Sequence, residues 1–280
     1  MKTVLEVIQA TTAYFQKSGV ESARLNIEHL LAHVLGKKRM ELYLEFDRPL
    51  SDQELNPLRE LVKRRAQGEP LQHLLGTAEF CGRTFACDRR ALVPRPETEQ
   101  LCEVIVADFK KRATSPKRIL DVGTGSGVIA LTLAMNWTEA AVEAVDISSA
   151  ALALARENAA RLGLPDRIHL TESDLLSAVE GEFDLIAANL PYIDRGLIPT
   201  LTREVQHDPI AALDGGVDGM EVFKRFVPDA RRHLRGRLAL EIGHDQAEAV
   251  RALLAAHEYQ DIQVLADYQG RNRFVLASHG

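Results

Sequence analysis

Hydrophobic residues in the first part of the chain recur every three or four positions, the spacing of helices that have one apolar face. The first of these faces stops at Gly19 and the second at Gly36, where a glycine can end a helix. A third helix begins at the capping box Ser51-x-x-Glu54. The pattern predicts a small bundle of helices over residues 1–70.

The pattern changes between residues 71 and 96, where glycine and proline separate short pieces that favour β structure. One of these pieces is Thr84-Phe85-Ala86-Cys87, which is rich in residues common in strands. We therefore expect a β-hairpin linker over residues 71–96.

From residue 97 onward, helical segments alternate with short strands that are nearly all apolar. The strands predicted from this pattern are 118–122, 141–146, 168–170, 183–188, 237–242, 261–264 and 273–276. Strands that are apolar along their whole length are buried on both faces, which indicates a parallel sheet between two layers of helices. Only a short loop separates the last two strands, so we expect those two to be antiparallel.

Composition is consistent with two domains and argues against several classes of protein. The 280 residues are 46% hydrophobic and 26% charged, as is typical of a globular chain with one α/β domain and a smaller second one. No apolar run approaches the roughly 20 residues of a membrane helix, and the first residues lack the pattern of a secretory signal. The three cysteines form no Cys-x-x-Cys pair, so we expect no disulfide framework, no metal site and a location in the reducing cytoplasm.

The net charge of −6 bears on the kind of substrate. Proteins that bind long nucleic acids usually have a basic face, because neutralising phosphates supplies much of their affinity. The charge therefore favours a protein substrate, although runs such as Lys110-Lys111-Arg112 leave a local basic patch open.

A glycine-rich turn follows the first strand of the predicted sheet, at a place where α/β sheets bind their ligands. Its residues are Gly123-Thr124-Gly125-Ser126-Gly127. Glycine allows a positive φ and lets the backbone approach a ligand that a Cβ would exclude. The loop alone does not decide the ligand, because a nicotinamide-dinucleotide enzyme or a purely structural turn would have a similar pattern.

Two acidic residues after the next strands narrow the choice of ligand. Asp146 ends the second strand, where a carboxylate can accept hydrogen bonds from both hydroxyls of a ribose. Asp174 follows the third strand and can accept from the amino group of an adenine, against which Leu175 can pack. The loop has no Walker lysine, so the combination favours S-adenosylmethionine.

The fourth strand ends in Asn189-Leu190-Pro191-Tyr192, which can hold a planar amino group beside the cofactor. The nitrogen of an amide or a base is a poor nucleophile because its lone pair is delocalised. The Asn189 side-chain oxygen and the Leu190 carbonyl can accept both N–H groups and turn the lone pair towards the methyl group, while Tyr192 offers a flat face. The tetrapeptide predicts methyl transfer to nitrogen without a general base; an asparagine that only ends a strand is the alternative.

Several further segments stand in a characteristic order with the glycine loop and the tetrapeptide. They are Arg64-Arg65-x-x-Gly68-Glu69-Pro70, Leu74-Leu75-Gly76-x-x-x-Phe80, Leu92-Val93-Pro94-Arg95-Pro96-Glu97-Thr98-Glu99, Glu204-Val205-x-x-Asp208-Pro209-x-x-Ala212-Leu213-x-Gly215-Gly216-x-Asp218-Gly219 and Glu241-Ile242-Gly243. Over essentially the whole chain this order resembles the release factor glutamine N5-methyltransferases. The segment from Pro94 to Glu99 is the most specific to that family.

The resemblance implies a class I S-adenosylmethionine-dependent methyltransferase, with a Rossmann-like, mostly parallel seven-stranded sheet in a domain over residues 97–280. The helical domain, residues 1–70, would bind the release factor. The reaction implied is methylation of N5 of the glutamine in the Gly-Gly-Gln motif of class I peptide chain release factors, with S-adenosylhomocysteine as the product. We further expect no membrane partner, no stable complex with nucleic acid, and a monomer.

The resemblance also assigns site residues. Those that match the family's cofactor site are Gly123 to Gly127, Asp146, Leu175 and Asn189, and those that match its glutamine site are Asn189 to Tyr192. Leu190 stands where the family has proline, so the carbonyl acceptor is kept while the fixed φ of proline is lost.

A second departure is His207-Asp208-Pro209, where the family usually has Phe-Glu-Pro. A carboxylate is kept there with an open role, and we expect His207 to be a surface or packing residue because the mechanism needs no histidine. Arg95 and Glu97 could order the hinge between domains, line the cofactor entrance or form a structural ion pair.

Two other classes of function share part of the pattern. An enzyme that methylates an adenine or guanine amino group in DNA or ribosomal RNA could use the same Asn189 acceptor, but the sequence has neither a basic face nor a spare target-recognition region. A non-catalytic cofactor-sensing or assembly protein would fit if Leu190 disrupted the loop. The sequence favours methylation of a release factor.

Overall fold

The computed structural model describes residues 2–279, which form two compact units. The first unit contains the residues up to Thr77 and the separate segment Thr202–His207. The second contains Ala78–Leu201 and the residues from Asp208 onward. No helix of the described residues is long and apolar enough to cross a membrane.

The first unit is helical, as the spacing of its apolar residues predicted. Its elements are α1 (Val4–Lys17), α2 (Ala23–Leu35), a 3-10 helix (Arg39–Leu44), α3 (Asp52–Ala66) and α4 (Leu71–Leu75). Gly36 ends α2 with a positive φ of 63°, and the Ser51 N–H donates to the Glu54 carboxylate at 2.8 Å at the start of α3. Helix α2 begins at Ala23, directly after Ser22, which has a left-handed backbone conformation.

Buried aliphatic and aromatic side chains hold the helices of the first unit together, among them Phe15, Ile27, Leu30 and Leu31. The segment Thr202–His207 joins this unit through Arg65. The buried Arg65 guanidinium contacts the Glu204 carboxylate at 2.5 Å and donates to the Asn26 side-chain oxygen at 2.7 Å.

The second unit begins with a hairpin of β1 (Thr77–Phe80) and β2 (Arg83–Ala86) and continues with a seven-stranded sheet. The strands of that sheet are β3 (Arg118–Val122), β4 (Ala141–Asp146), β5 (Ile168–Glu172), β6 (Phe183–Asn189), β7 (Leu234–Glu241), β8 (Tyr259–Ala266) and β9 (Asn272–His279). Its helices are α5 (Pro96–Lys111), α6 (Val128–Asn136), α7 (Ser149–Arg161), α8 (Glu221–His233) and α9 (Ala247–Ala256).

The strand order confirms the mostly parallel sheet. The order is β5-β4-β3-β6-β7-β9-β8, with β9 antiparallel to both β7 and β8 and the other pairs parallel. Strand β3 pairs with β4 on one side and with β6 on the other. The direction of winding reverses there, so the carboxyl ends of β3, β4 and β6 flank the crevice where α/β sheets bind ligands.

Helices cover both faces of the sheet. On β3, Leu120 packs in one hydrophobic cluster with Phe223 of α8, while the adjacent Ile119 packs in another with Leu101 of α5 and Leu131 of α6. Successive side chains of a strand point to opposite faces, which explains why both are apolar. Because helices pack on both faces, the strands are held in place, and so are the loops at their ends.

The predicted linker, residues 71–96, is not a separate piece of the chain. Leu74 of α4 is buried in the core of the first unit, whereas Phe80 and Phe85 of the hairpin are buried in the second and lie edge to face at 5.9 Å. Burial of these apolar side chains divides the segment at Thr77.

Candidate active site

A cleft of about 300 Å³ opens at the carboxyl ends of β3, β4 and β6 in the second unit. The predicted site residues that line it are Gly123, Thr124, Gly125, Ser126, Asp146, Asp174, Leu175, Asn189, Leu190 and Pro191. Gly127 and Tyr192 are not among the lining residues. Within residues 2–279, no group of His, Cys, Asp and Glu side chains is arranged to hold a metal ion.

The glycine loop forms the floor of the cleft and is anchored to the sheet. The N–H groups of Gly123 and Thr124 both donate to the Val145 carbonyl, at 2.8 and 3.0 Å. Gly125, with a φ of 56°, presents backbone rather than a side chain to the cleft. Gly127 has another role: a Cβ there would lie only 3.1 Å from the Ala155 side chain of α7, so glycine lets the start of α6 pack closely against α7.

Asp121, near the end of β3, holds this loop by hydrogen bonds, a role that was not predicted from the sequence. Its Oδ2 accepts from the Thr124 hydroxyl at 2.7 Å and from the Ala130 N–H at 3.1 Å, while Oδ1 is buried without a partner among the described residues. Burial raises the pKa of Asp121 to about 7. Its position two residues before the first glycine of the loop could have indicated this role.

Asp146 joins the glycine loop to the start of α7. One carboxylate oxygen accepts from the Gly125 N–H at 2.8 Å and the other from the Ser148 N–H at 2.9 Å. Burial raises the pKa of Asp146. Each oxygen keeps a second lone pair, so the carboxylate can still accept from two ligand hydroxyls.

Asp174 and Leu175 form one wall of the cleft. Asp174 is half exposed and contacts Arg225 of α8 at 2.6 Å between Nη2 and Oδ2. Leu175 has a φ of 51°, a left-handed conformation that is rare for leucine. The Ser173 hydroxyl donates to the Leu175 carbonyl at 2.9 Å and so holds this turn against the strain.

Asn189 is the last residue of β6, and its side chain has a defined orientation. The Asn189 Nδ2 donates to the Thr98 hydroxyl at 3.0 Å, and that hydroxyl donates to the Glu241 carboxylate at 2.7 Å. Thr98 and Glu241 are both buried, at 3% and 2% exposure. The amide nitrogen therefore faces the protein, which leaves the carboxamide oxygen as the group available to a ligand in the cleft.

Leu190 places its side chain and its carbonyl in different environments. The side chain is buried in the core and lies 3.4 Å from the position that a Cβ on Gly123 would occupy. The ladder between β6 and β7 ends at the pair Asn189–Glu241, so the Leu190 carbonyl lies beyond the sheet hydrogen bonds. The Leu190 side chain thus packs against the glycine loop at Gly123.

Tyr192 does not form part of the wall of the cleft as its sequence position suggested. Its side chain packs against the core that contains α8 and α9, and its carbonyl accepts from the Gln246 Nε2 at 2.9 Å. Burial raises the pKa of Tyr192 to about 12. Gly219 lies so close to this carbonyl that a Cβ there would be 2.3 Å from it, so the loop is held by backbone contacts.

Asp208 has a defined role, which the sequence left open. Its buried carboxylate accepts from the Val93 N–H at 3.0 Å through Oδ1 and contacts Arg95 at 2.5 Å through Oδ2. Val93 and Arg95 line the cleft, so Arg95 is both a cleft residue and one partner of an ion pair. His207 is partly exposed, and its Nδ1 pairs with the Arg203 carbonyl at 2.8 Å, as expected for a packing residue.

Comparisons with known proteins identify relatives of both parts of the chain. The model of the PrmC N-terminal domain matches residues 6–76, and that of the Methyltransferase small domain matches residues 98–205. A release factor glutamine methyltransferase of Geobacter sulfurreducens is 42% identical over 277 residues, covering 98% of this chain and 95% of the relative. One of Chlorobaculum tepidum is 41% identical over 283 residues, covering 97% and 95%.

Solved structures share the fold of a large part of this chain. The catalytic domain of human METTL16 in complex with a 3′UTR hairpin superposes with a TM-score of 0.58 at 14% identity, covering 82% of this chain and 83% of that one. The 16S rRNA N2 methyltransferase of Thermus thermophilus, solved with AdoMet and guanosine, gives 0.52 at 19% identity, with coverage of 73% and 50%. These likenesses establish the fold.

Proposed function

This chain belongs to the release factor glutamine methyltransferases, and we propose that its cleft methylates N5 of the glutamine in the Gly-Gly-Gln motif of class I peptide chain release factors. The enzyme is an S-adenosylmethionine-dependent methyltransferase. The observation that supports the proposal best is the orientation of the Asn189 carboxamide, whose nitrogen is bonded to Thr98. Its oxygen is left to accept a hydrogen bond from a substrate amide.

The residues of the cleft fit S-adenosylmethionine. The glycine loop presents backbone to the cleft, and the positive φ of 56° at Gly125 favours glycine at that position. Asp146 would bind the ribose hydroxyls with its remaining lone pairs. Asp174 would accept from the adenine amino group and Leu175 would pack on its ring; both line the same wall.

Two oxygen acceptors would position the substrate nitrogen. When bound, S-adenosylmethionine would supply a methyl group on a positively charged sulfur. The bond from the amide nitrogen to the methyl carbon would form as the carbon–sulfur bond breaks, with S-adenosylhomocysteine as the leaving group. The Asn189 oxygen and the Leu190 carbonyl would each accept one N–H, which turns the nitrogen lone pair out of conjugation and along the line of attack. Such positioning is worth several kcal/mol of barrier, of the roughly 7–11 kcal/mol that proximity and orientation can supply at most.

The substrate proton needs no dedicated base in this scheme. An amide nitrogen that has gained a methyl group carries a positive charge and is strongly acidic, so it loses its proton to water or to a neighbouring oxygen. This fits a cleft in which His207 is absent from the lining residues.

The first unit, residues 1–70 in the sequence-based division, would bind the body of the release factor. The support is the match of residues 6–76 to the PrmC N-terminal domain. Large apolar side chains that remain exposed on this unit are available for such a contact, namely Tyr14, Leu25, Met40, Tyr43 and Leu44. We place the enzyme in the cytoplasm as a monomer that forms no stable complex with nucleic acid.

The test is a labelling reaction with three candidate substrates. The full chain is incubated with methyl-labelled S-adenosylmethionine and, separately, with a class I release factor, short duplex DNA or ribosomal RNA. The proposal predicts label on the release-factor peptide that contains Gly-Gly-Gln, and none when alanine replaces the motif's glutamine. Label on nucleic acid only would overturn it and favour methylation of a base amino group.

A further inference from the structure

Glu241 is a buried carboxylate that the mechanism above does not use. It ends β7 beside the end of β6, is 2% exposed, and accepts the Thr98 hydroxyl at 2.7 Å. Burying a carboxylate costs free energy unless hydrogen bonds compensate it. A leucine or methionine would fill the same space at lower cost, so the position of this carboxylate behind Asn189 calls for a functional explanation.

The hydrogen bonds between these three side chains have a direction. The Thr98 hydroxyl has one hydrogen, and an ionised Glu241 can only accept, so that hydrogen goes to Glu241. The lone pairs of the hydroxyl are then left to accept from Asn189, which must present its nitrogen to Thr98. The carboxamide oxygen is thereby directed away from Thr98, towards the cleft.

We propose that Glu241, acting through Thr98, is a positioning residue that keeps the Asn189 carboxamide oxygen turned towards the substrate amide. The inference rests on the proposed function, because it concerns the acceptor that holds the substrate N–H. A protonated Glu241 can donate to Thr98, and the hydroxyl can then donate to Asn189. The carboxamide would turn over and present N–H groups to the substrate NH2, which cannot accept them.

The surroundings of Glu241 set the pH at which this reversal occurs. The charged groups that face it are Arg273 of β9, which favours the ionised form, and Glu97 of α5, which disfavours it. The Asn189 side chain also hydrogen-bonds to Glu241 and favours its ionised form, and neutral Tyr192 and Cys102 lie nearby. Burial outweighs the hydrogen bonds and raises the pKa of Glu241 to about 7. The ionised, active form therefore accumulates as pH rises from about 6 to 8, and kcat should rise with it.

The experiment compares Thr98→Val, Thr98→Ser and Glu241→Gln with the wild-type enzyme, using the release factor as substrate. Valine keeps the shape of threonine without the hydroxyl, and serine keeps the hydroxyl. We expect Thr98→Val to lower kcat about tenfold or more while KM and the Kd for S-adenosylmethionine stay within about threefold. Thr98→Ser should restore most of the rate, and Glu241→Gln should reduce the rise of kcat with pH because its side chain does not ionise. Asp121, whose pKa is also raised to about 7, orders the cofactor loop, so kcat is measured at saturating S-adenosylmethionine.

The results distinguish failure of the positioning role of Glu241 from failure of the proposed function. Equal kcat for Thr98→Val and Thr98→Ser, or an unchanged rise of kcat with pH in Glu241→Gln, would overturn the inference while wild-type activity leaves the proposed function intact. A wild-type enzyme that labels no release factor at any pH would instead overturn the proposed function, and the inference with it. If Glu241→Gln does not fold, the valine and serine pair still decides the question.

Discussion

Replacing Asp208 with alanine should destabilise the second unit and weaken cofactor binding. The carboxylate is fully buried and serves two partners, the Val93 N–H and the Arg95 guanidinium. Loss of the acceptor leaves a buried N–H unpaired, at a cost of about 1–3 kcal/mol. Arg95 is 28% exposed, so water replaces part of the ion pair, whose loss adds only about 1 kcal/mol.

The two contributions together predict a loss of roughly 2–4 kcal/mol in the free energy of unfolding. In a unit of about 200 residues, this corresponds to a fall in Tm of roughly 5–15 °C. Val93 and Arg95 also line the cleft, so their displacement should raise the Kd for S-adenosylmethionine about tenfold, a change of about 1.4 kcal/mol.

Thermal unfolding and calorimetric titration with S-adenosylmethionine measure both effects. The matched control is Asp229→Ala, which removes an exposed aspartate of α8 whose ion pair with Arg232 should be worth less than about 0.5 kcal/mol. If Asp208→Ala has the Tm and the cofactor affinity of this control, the carboxylate does not hold the segment from Val93 to Arg95, and the reasoning is refuted.

Two further variants test other parts of the site. Asp146→Ala should raise the Kd for S-adenosylmethionine about thirtyfold or more, because two charge-assisted hydrogen bonds to the ribose are lost; unchanged affinity in a titration would exclude the ribose assignment. Gln246→Leu removes the donor that holds the Tyr192 and Gly219 carbonyls, so kcat should fall about tenfold at unchanged cofactor affinity. For this variant a steady-state assay is the measurement, and a wild-type kcat would show that the loop after Pro191 needs no such support.

Most of the sheet could be predicted from the sequence, because its strands are apolar runs bounded by turn residues. Strands β3 and β4 have the predicted bounds. Strand β7 begins three residues before the predicted 237–242 and ends one residue before it, and the other strands extend beyond their predicted bounds at one or both ends. Helix α8 was not predicted, although Phe223, Phe226, Val227 and Ala230 follow the i, i+3, i+4, i+7 spacing of an amphipathic helix and would have indicated it.

Some residues of the site could likewise be predicted from the sequence, and others could not. The glycine loop and Asp146 are local features of strand ends, and the structure brings them together. Thr98 and Glu241 are 143 positions apart and meet only because α5 packs beside the end of β7, so no local pattern marks their hydrogen bond. Tyr192 was predicted to line the cleft because it lies close to Asn189 in sequence, but its side chain packs against the core and its carbonyl accepts from Gln246.

The most direct test of the account is the rate of a single methyl transfer by Asn189→Ala, measured at saturating release factor and cofactor alongside the Kd for S-adenosylmethionine. We predict a rate at least about 100-fold lower than that of the wild-type enzyme, with cofactor affinity within about tenfold, because the lost oxygen acts on the substrate nitrogen. A variant that transfers the methyl group at the wild-type rate, or that has lost cofactor binding while turnover persists, would contradict it.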